Sequence, residues 1–383
     1  MARELRTWRA SLLSRGERLA FVRHVFAAMP THILMAMALR PTILKKINRI
    51  MRDFLWHGKR DASGGGCLVS WRKFCRPLEF GRLGVRDLKL TGVALHVCWL
   101  WLRATDASRP WRHLHLPTDA EALAIFNASS SWILGNVTSC LFWTDRWVGV
   151  GRSGLPNRAW IQDIQGAMGP VALVQYVELW RVLQHIVLSS DPDMLRWRWT
   201  DSGVYSASSC YKVMFLGSTI APHWRLTWHT RAPLRTRFFA WLVGLNRCWS
   251  TTHLALHGLP HNAHCILFNQ VLETLDHLIL HCLFSREIWH EFFVWCRAPV
   301  PLPRDADRFL DWWACITSQA PTGSCKGLAS LTLLAAWSIW RHCNACIFDN
   351  MRPSITNLLQ MIKDDSRSWA LAGVKDIANF LPP

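Results

Sequence analysis

The stretch that decides the fold is residues 41–56, which read PTILKKINRIMRDFLW. Pro41 followed by Thr42 is a helix start signal. Beyond it, apolar residues recur at the spacing of one helical face, and they are Ile43, Leu44, Ile47, Ile50, Met51, Phe54 and Leu55. The spacing predicts an amphipathic helix from Thr42 to Trp56.

The other face of this predicted helix is basic and carries Lys45, Lys46, Arg49 and Arg52. We expect these four side chains to face solvent while Ile47 and Ile50 are buried. A row of cations on one helix face can follow the phosphates of a nucleic acid. The alternative is an ordinary solvated face without a partner.

Two further apolar segments predict helices, Leu88 to Leu102 and Leu328 to Trp340. The predicted fold class is therefore mainly α, with few and short strands. Glycines indicate a surface loop over Gly58–Gly66, and Phe142–Trp147 suggests a short turn with anchoring aromatic residues. A proline cluster at residues 299–303 predicts a domain boundary.

Charge is unevenly distributed along the 383 residues, whose formal net charge is +18. Residues 1–117 hold 22 basic and 7 acidic residues, a net +15, and the remaining 266 residues hold only a net +3. A second basic feature is the window from Ser202 to Leu272, which has no acidic residue and interleaves Trp and Phe with Arg231, Arg235 and Arg237. Both features favour a nucleic-acid surface. For the window, a helical core with partly buried arginines is the alternative.

Several classes of protein are disfavoured. The longest apolar stretch, Gly327–Trp340, has 14 residues, whereas a membrane-spanning helix needs about 20. No secretory pattern opens the chain, and 13 cysteines are an odd number for a disulfide framework. We therefore expect an intracellular protein, nuclear or cytoplasmic, that is not secreted and has no membrane partner.

Catalytic motifs are also missing from the sequence. The one adjacent acidic pair, Asp364-Asp365, lacks an aromatic residue two positions earlier, and there is no Gly-x-Ser-x-Gly motif. Phosphoryl transfer with two metal ions needs gathered carboxylates. We expect no enzymatic activity and no small-molecule substrate.

A possible metal site lies in a compact set of residues, Cys265, Glu273, His277, His281 and Cys282. Cysteine and histidine ligands suit tetrahedral Zn²⁺. The site is incomplete, because Phe268 occupies the position that would complete a Cys-x-x-Cys pair; His261, His264 or His281 could substitute. A buried apolar patch with free thiols is the alternative. A second half-site, Cys343-Asn344-Ala345-Cys346 beside His342, has no partner pair nearby in the sequence.

The order of several short motifs resembles the carboxyl-terminal part of plant LINE-type (non-LTR) retrotransposon polyproteins. Those of the first half are Leu13–Arg18, Arg52–Gly58, Val69–Trp71, Gly81–Leu88 and Phe142–Trp147. The motifs of the second half resemble the zinc-binding domain of reverse transcriptases. They are Gly203–Ala207, Phe238–Leu242, Glu273-Thr274, His277-Leu278, Cys282 and Trp337–Phe348. In that family the knuckle is Cys-x-x-Cys, His, Cys. Cys265, His277 and Cys282 match it, and Phe268 departs from it.

The resemblance implies four regions. They are a basic thumb-like helical region (1–117), an irregular connector (118–200), a small helical zinc-binding-like domain (201–298) and a C-terminal helical segment (299–383). It also implies that the catalytic aspartates of the polymerase and the RNase H domain belong to parts of the polyprotein outside this chain. The expected function is a non-catalytic remnant that binds RNA or single-stranded DNA weakly and without sequence preference, with Zn²⁺ as its cofactor. The alternative is a helical interaction protein or inert retroelement fragment.

Overall fold

The structure is a computed structural model that describes residues 12–58, 67–106, 108–111, 113–114, 118–136, 147–148, 166, 169–183, 190–258, 263–269, 271–321 and 323–382. Its α-helices are α1 (Arg15–Phe21), α2 (Thr31–Ala36), α3 (Pro41–His57), α4 (Trp71–Phe74), α5 (Leu88–Thr105), α6 (Ala120–Ser129), α7 (Pro170–Leu183), α8 (Ala207–Val213), α9 (Trp224–His229), α10 (Leu234–Gly244), α11 (Thr251–Leu256), α12 (Leu283–Trp295), α13 (Phe309–Gln319), α14 (Cys325–Phe348), α15 (Ile355–Leu371) and α16 (Lys375–Ala378). The described residues also form two π-helical turns (Val22–Phe26, His277–His281) and a 3-10 turn (Leu78–Phe80).

The prediction of a mainly α fold with few, short strands is confirmed. The described strands are β1 (Ser130–Ile133), β2 (Trp147–Val148) and β3 (Met194–Trp197). They form one sheet in the order β2-β1-β3, in which β1 runs parallel to β2 and antiparallel to β3. The predicted helices at 88–102 and 328–340 are present as the longer α5 and α14. The predicted loop at Gly58–Gly66 and turn at Phe142–Trp147 lie mostly outside the described residues.

The chain forms two compact units, each assembled from separated segments. The first contains Met1–Ala28, Lys45–Arg86 and Ser218–Pro383, and the second contains Met29–Leu44 and Asp87–Gly217. In the second unit, α5 packs against α6 and α8. Their shared core is Val93, Ala94, Val97, Trp101, Ala122, Trp197 and Cys210.

Helix α14 is the central helix of the first unit. Every residue from Gly327 to Ile339 is buried, so the helix is enclosed on all sides, as a core helix should be. It packs against α10, α13, α15, α16 and the His277–His281 turn. This contact with the turn matters for the site, because the turn ends next to Cys282 and α14 carries Cys343 and Cys346.

Glycine permits two close helix contacts in the first unit. A Cβ added at Gly16 would lie 2.6 Å from the Arg235 backbone nitrogen, and one added at Gly327 would lie 2.1 Å from the Asp376 carbonyl oxygen. Helix α1 is also fixed at its start by Ser14 and Glu17, whose side chains each accept a hydrogen bond from the other's backbone amide. The start of α1 is therefore held by hydrogen bonds, and the starts of α1 and α14 each pack directly on backbone atoms of another segment.

Helix α3 agrees with the predicted stripe only in its second half. Met51, Phe54 and Leu55 are buried, whereas Ile47 and Ile50 are only half-buried. The expectation that Ile47 and Ile50 are buried is therefore wrong. Periodicity identifies the face of a helix that turns inward, but it does not say how far along its length the helix is covered.

One helical stretch among the described residues, Arg15–Ala36, is long and apolar enough to cross a membrane by length and composition. One third of its most apolar window is buried within the protein. A core helix passes the same test of length and composition, so the expectation of no membrane partner stays a prediction.

Candidate metal centre and basic surfaces

The candidate metal centre begins in a tight turn. The amides of Phe268 and Asn269 both donate to the Cys265 carbonyl oxygen, at 3.2 and 2.6 Å, and the Leu267 amide donates to the Cys265 sulfur. A short bridge between His264 and Leu272 closes the turn. The backbone therefore forms a knuckle that presents the Cys265 thiol inward.

The second part of the centre is the junction between the π-helical turn and α12. His277 begins the π-helical turn and Cys282 is the residue that caps the start of α12. The Cys282 amide donates to the His277 carbonyl oxygen at 2.7 Å, and the amides of Phe284 and Ser285 donate to the Cys282 sulfur. A helix start supplies free amides and a positive dipole end, which favour an anionic sulfur.

Three predicted ligands converge. One donor atom each of Cys265, His277 and Cys282 lies within 4.8 Å of the other two. Both cysteines are fully buried, and His277 is 8% exposed. Among the described residues, no other group of three or more such side chains comes this close.

The geometry of these donors fits zinc. The Cys265 and Cys282 sulfurs are 3.9 Å apart, and two sulfurs bonded to one tetrahedral Zn²⁺ at about 2.3 Å would be about 3.8 Å apart. The Nε2 atom of His277 is buried and has no hydrogen-bond partner. A buried ring nitrogen without a partner is unfavourable in a metal-free protein and is explained if this edge of the ring faces a metal ion.

The two thiols are electrostatically unlike each other. The Cys265 thiol donates a hydrogen bond to Cys282, and this contact is the main cause of a lowered pKa at Cys282; burial opposes it, and His277 and the α12 amides add to it. The same contact, together with burial, raises the pKa of Cys265. Of the two thiols, Cys282 is therefore the one whose ionised form the surroundings favour.

Of the histidines proposed as substitutes for a fourth cysteine, the two that the structure describes, His264 and His281, do not join the three converging donors. His281 Nε2 is 3.0 Å from the Asp307 carbonyl oxygen, so this ring is engaged elsewhere. His264 is exposed, and His261 lies outside the described residues. Phe268 is half-buried beside the knuckle and has no donor atom.

The second predicted half-site lies next to the first. Cys343 and Cys346 are both buried on α14, and the Cys343 sulfur donates to Glu273 Oε2 at 3.7 Å. The contacts of α14 thus bring Cys343 to Glu273, seventy positions away, whereas among the described residues Cys343 and Cys346 belong to no group of three converging donors. Sequence spacing could not have found this neighbourhood.

Glu273 connects the start of α11 with α14 through buried hydrogen bonds. It is 2% exposed, and its Oε1 accepts a hydrogen bond from the Thr251 amide at 2.9 Å, at the start of α11. Burial raises the pKa of the Glu273 carboxyl, while the Thr251 amide, the Cys343 thiol and His277 lower it and Cys282 raises it further. Burial is the largest of these effects, so the pKa of the carboxyl is raised.

On α3, three of the four predicted cations are exposed, namely Lys45, Lys46 and Arg49. Arg52 is half-buried, and its Nε lies 3.2 Å from Asp53 Oδ1. Arg49 Nε is 3.6 Å from the other oxygen of the same carboxylate. Lys45, Lys46 and Arg49 therefore face solvent as expected, whereas Arg52, whose side chain is 37% exposed, faces solvent only in part.

The three arginines of the acid-free window differ in their surroundings. Arg237 is half-buried and donates to the Trp228 carbonyl oxygen at 2.9 Å, and burial lowers its pKa. Arg231 is exposed and lies 3.0 Å from Asp376. Arg235 is exposed and lies over the Trp337 ring, 4.8 Å from its centre. Arg237 therefore fits the alternative of a helical core with partly buried arginines.

A cation–aromatic stack at Trp337 was not predicted. Arg341 lies over the same ring as Arg235, at 4.6 Å, so the indole has two guanidinium neighbours. The abundance of tryptophan and arginine in the sequence pointed to such contacts in general, but not to this ring.

Two comparisons with known proteins bear on the metal centre. Residues 205–289 match the family described as zinc-binding in reverse transcriptase, and this segment contains Cys265, His277 and Cys282. A curated protein of Arabidopsis thaliana named "Putative ribonuclease H protein" is 25% identical in an alignment 331 positions long, which covers 74% of this chain and 53% of that protein. The chain thus spans about half the length of this relative. Together the matches indicate a retrotransposon-related protein that carries a segment similar to the zinc-binding region of reverse transcriptases.

Proposed function

We propose that the chain is a non-catalytic part of a plant LINE-type retrotransposon reverse transcriptase polyprotein, which binds RNA or single-stranded DNA weakly and without sequence preference. The observation that carries this proposal is the exposed basic face of α3 at Lys45, Lys46 and Arg49, in a region with a net charge of +15 over residues 1–117. Exposed cations release counterions when they contact phosphates, and this release drives sequence-independent binding.

Zinc has an architectural role in this proposal. Cys265, His277 and Cys282 would hold the ion, which supplies a cross-link between the knuckle, the π-helical turn and the start of α12. The residues themselves do no chemistry on a substrate. Support for zinc comes from the spacing of the two sulfurs and from the description of the matched family.

A non-catalytic role is supported by the sequence. Asp364 and Asp365 form the one adjacent acidic pair. The Asp364 carboxylate accepts hydrogen bonds from Gln360 and from Arg367 on the same helix. These contacts suit a surface helix, and a pair of metal ions needs several converging carboxylates.

The test is a filter-binding titration against salt with single-stranded RNA of mixed sequence. Replacing Lys45, Lys46, Arg49 and Arg52 by Gln should flatten the log–log salt slope by up to about 3 units, since each contact with a single strand contributes about 0.7. Affinity should fall to a similar extent for every sequence.

The matched control removes the same charge elsewhere, through Gln at the exposed Arg304, Arg308, Arg352 and Arg367. This control should leave the slope within about one unit of the parent. If both quadruple variants bind as the parent does, the basic face of α3 has no nucleic-acid role. The alternative of a helical interaction protein or inert retroelement fragment would then be preferred.

A further inference from the structure

A small cavity lies in the first unit, where the loop after Phe80 meets α9 and α10. Its volume is about 260 Å³, and it reaches the surface at Pro222 and Gly244, which are both exposed. Cavities that hold drug-sized molecules measure about 300–1,000 Å³. This cavity therefore has room for one ring system with its substituents.

Three tryptophans form its aromatic walls, Trp224 and Trp228 on α9 and Trp241 on α10. Trp241 donates from its indole nitrogen to the Gly81 carbonyl oxygen at 2.9 Å. Gly81 has a φ of +67°, and an added Cβ would lie 2.7 Å from the Ala221 Cβ, so the turn at the edge of the cavity requires glycine. Trp228 is buried and Trp224 is half-buried. The walls are thus held in place and present the Trp224 indole to a flat ring.

One side chain that lines the cavity is a cation without a counter-ion. Arg82 is half-buried, and its Nε is buried and has no hydrogen-bond partner. Burial, and then the Arg76 cation, lower the pKa of Arg82, and no carboxylate among the described residues offsets them. Buried polar groups in proteins are as a rule hydrogen-bonded. An anion bound in the cavity would supply the partner that Arg82 lacks.

Further arginines surround the same indoles. The Arg23 guanidinium lies over the Trp228 ring, 5.0 Å from its centre, and Arg237 donates to the Trp228 carbonyl oxygen at 2.9 Å. Nη2 of Arg23 and Nε of Arg237 are also buried without a partner. The exposed Arg225 lies over the Trp224 ring, 5.5 Å from its centre. The aromatic walls therefore lie in a positive electrostatic field, which favours an anionic ligand.

Acidic side chains do little to offset this charge. Among the described residues that line the cavity, none is acidic. The nearby carboxylate of Asp311 lies 2.8 Å from His223 Nε2, and its side chain is 64% exposed, so water and salt screen it. Aromatic walls beside an unpaired cation fit a ligand that has a flat ring at one end and an anion at the other. A nucleotide has this chemistry.

We propose that the cavity binds one nucleotide of a single-stranded RNA or DNA, with the base against the Trp224 indole and a phosphate at Arg82. The proposal rests on the proposed function, and it adds a base-stacking site to the phosphate contacts of α3. Stacking on an aromatic side chain accepts every base, because every base has a flat face. Binding without sequence preference is therefore retained.

The experiment is a filter-binding titration of the full chain with a single-stranded RNA of mixed sequence and with an abasic strand of the same length. The parent should bind the complete strand at least about fivefold more tightly, the lower end of the effect of one stacked base. Trp224→Ala should weaken binding of the complete strand by the same factor and leave the salt slope unchanged, because stacking releases no counterions. Binding of the abasic strand should not change in this variant, whereas a misfolded variant would lose both strands.

Arg82→Gln tests the phosphate contact and should flatten the salt slope by about 0.7 for both strands. Trp295→Ala is the control for the indole, since Trp295 is also half-buried and has a cation over its ring, Lys363 at 5.6 Å, but lies outside the cavity. Arg286→Gln is the control for the charge, because Arg286 is half-buried and paired with Asp305 at 3.1 Å. Both controls should bind the two strands as the parent does.

Three results would overturn the proposal. The parent would bind both strands equally, Trp224→Ala would weaken both strands alike, or adenosine monophosphate alone would bind as tightly as the complete strand, which would indicate a site for free nucleotides. If the parent binds neither strand, this proposal and the proposed function fail together. If the parent binds with a steep salt dependence but does not distinguish the two strands, the cavity proposal fails alone.

Discussion

Replacing Gly327 by alanine should destabilise the first unit, although alanine is the better helix former. The new Cβ would lie 2.1 Å from the Asp376 carbonyl oxygen, 2.7 Å from its carbon and 3.1 Å from the Phe380 ring. Non-bonded carbon atoms need about 3.5 Å, so α14 and α16 must separate by more than about 1 Å. Overpacking of this kind costs about 1–3 kcal/mol, and we take the upper part of the range because the obstacle is backbone.

The gain in helix propensity offsets at most about 1 kcal/mol of this cost. The net loss should be about 1–2 kcal/mol, which for a unit of this size lowers the melting temperature by about 2–8 °C. Thermal unfolding followed by circular dichroism at fixed zinc concentration measures it. Gly169→Ala is the control, since its added Cβ meets nothing within 4 Å. A Gly327→Ala protein as stable as the parent would refute the reasoning, because the helix contact would then be free to relax.

Other expected outcomes concern metal, pH and activity. Phe268→Cys should raise the number of sulfur ligands at zinc from two to three, as measured by X-ray absorption. It should also tighten zinc binding at least tenfold, as measured by competition with a chelator. An unchanged number of sulfur ligands would mean that the knuckle does not face the metal. Burial, and then His257 and Arg247, lower the pKa of His253 below its usual 6.5. The unfolded chain therefore binds a proton that the folded chain does not, and the free energy of unfolding should fall as pH drops below about 6.5. His253→Phe should weaken this dependence in denaturant titrations, while His290→Gln, at an exposed position, should not. Finally, primer extension and RNA cleavage with Mg²⁺ or Mn²⁺ should not exceed a boiled control.

Local periodicity was sufficient to predict helices but not their depth. The repeat that ends in Met51, Phe54 and Leu55 gave the correct face of α3, yet Ile43 at its start is 44% exposed. The sequence pattern reports which side chains share a face, whereas burial depends on what other segments cover that face. The same limit explains Arg237, whose partner is a carbonyl oxygen nine residues away on α9.

The candidate metal centre shows the corresponding limit for function. Cys265, His277 and Cys282 fall within eighteen residues, so spacing and residue type were enough to select them. The thiol of Cys343 reaches Glu273 through the packing of α14 on the π-helical turn. A contact over seventy residues depends on tertiary structure and has no local signal in a single sequence.

The last segment of the first unit begins at Ser218, more than a hundred residues after the preceding segment ends at Arg86, so the unit cannot fold until late in synthesis. Helix α1 packs at Gly16 on the backbone of Arg235, so its partner emerges from the ribosome more than 200 residues later. At a synthesis rate of about 5–20 residues per second, the amino-terminal helices are made about 10–40 s before that surface. During this interval apolar side chains of α1 such as Leu19, which is fully buried in the finished protein, lack the surface that α10 supplies. Nascent chains stalled before residue 234 should therefore bind chaperones that recognise exposed apolar helices, and chains released after the unit is complete should not.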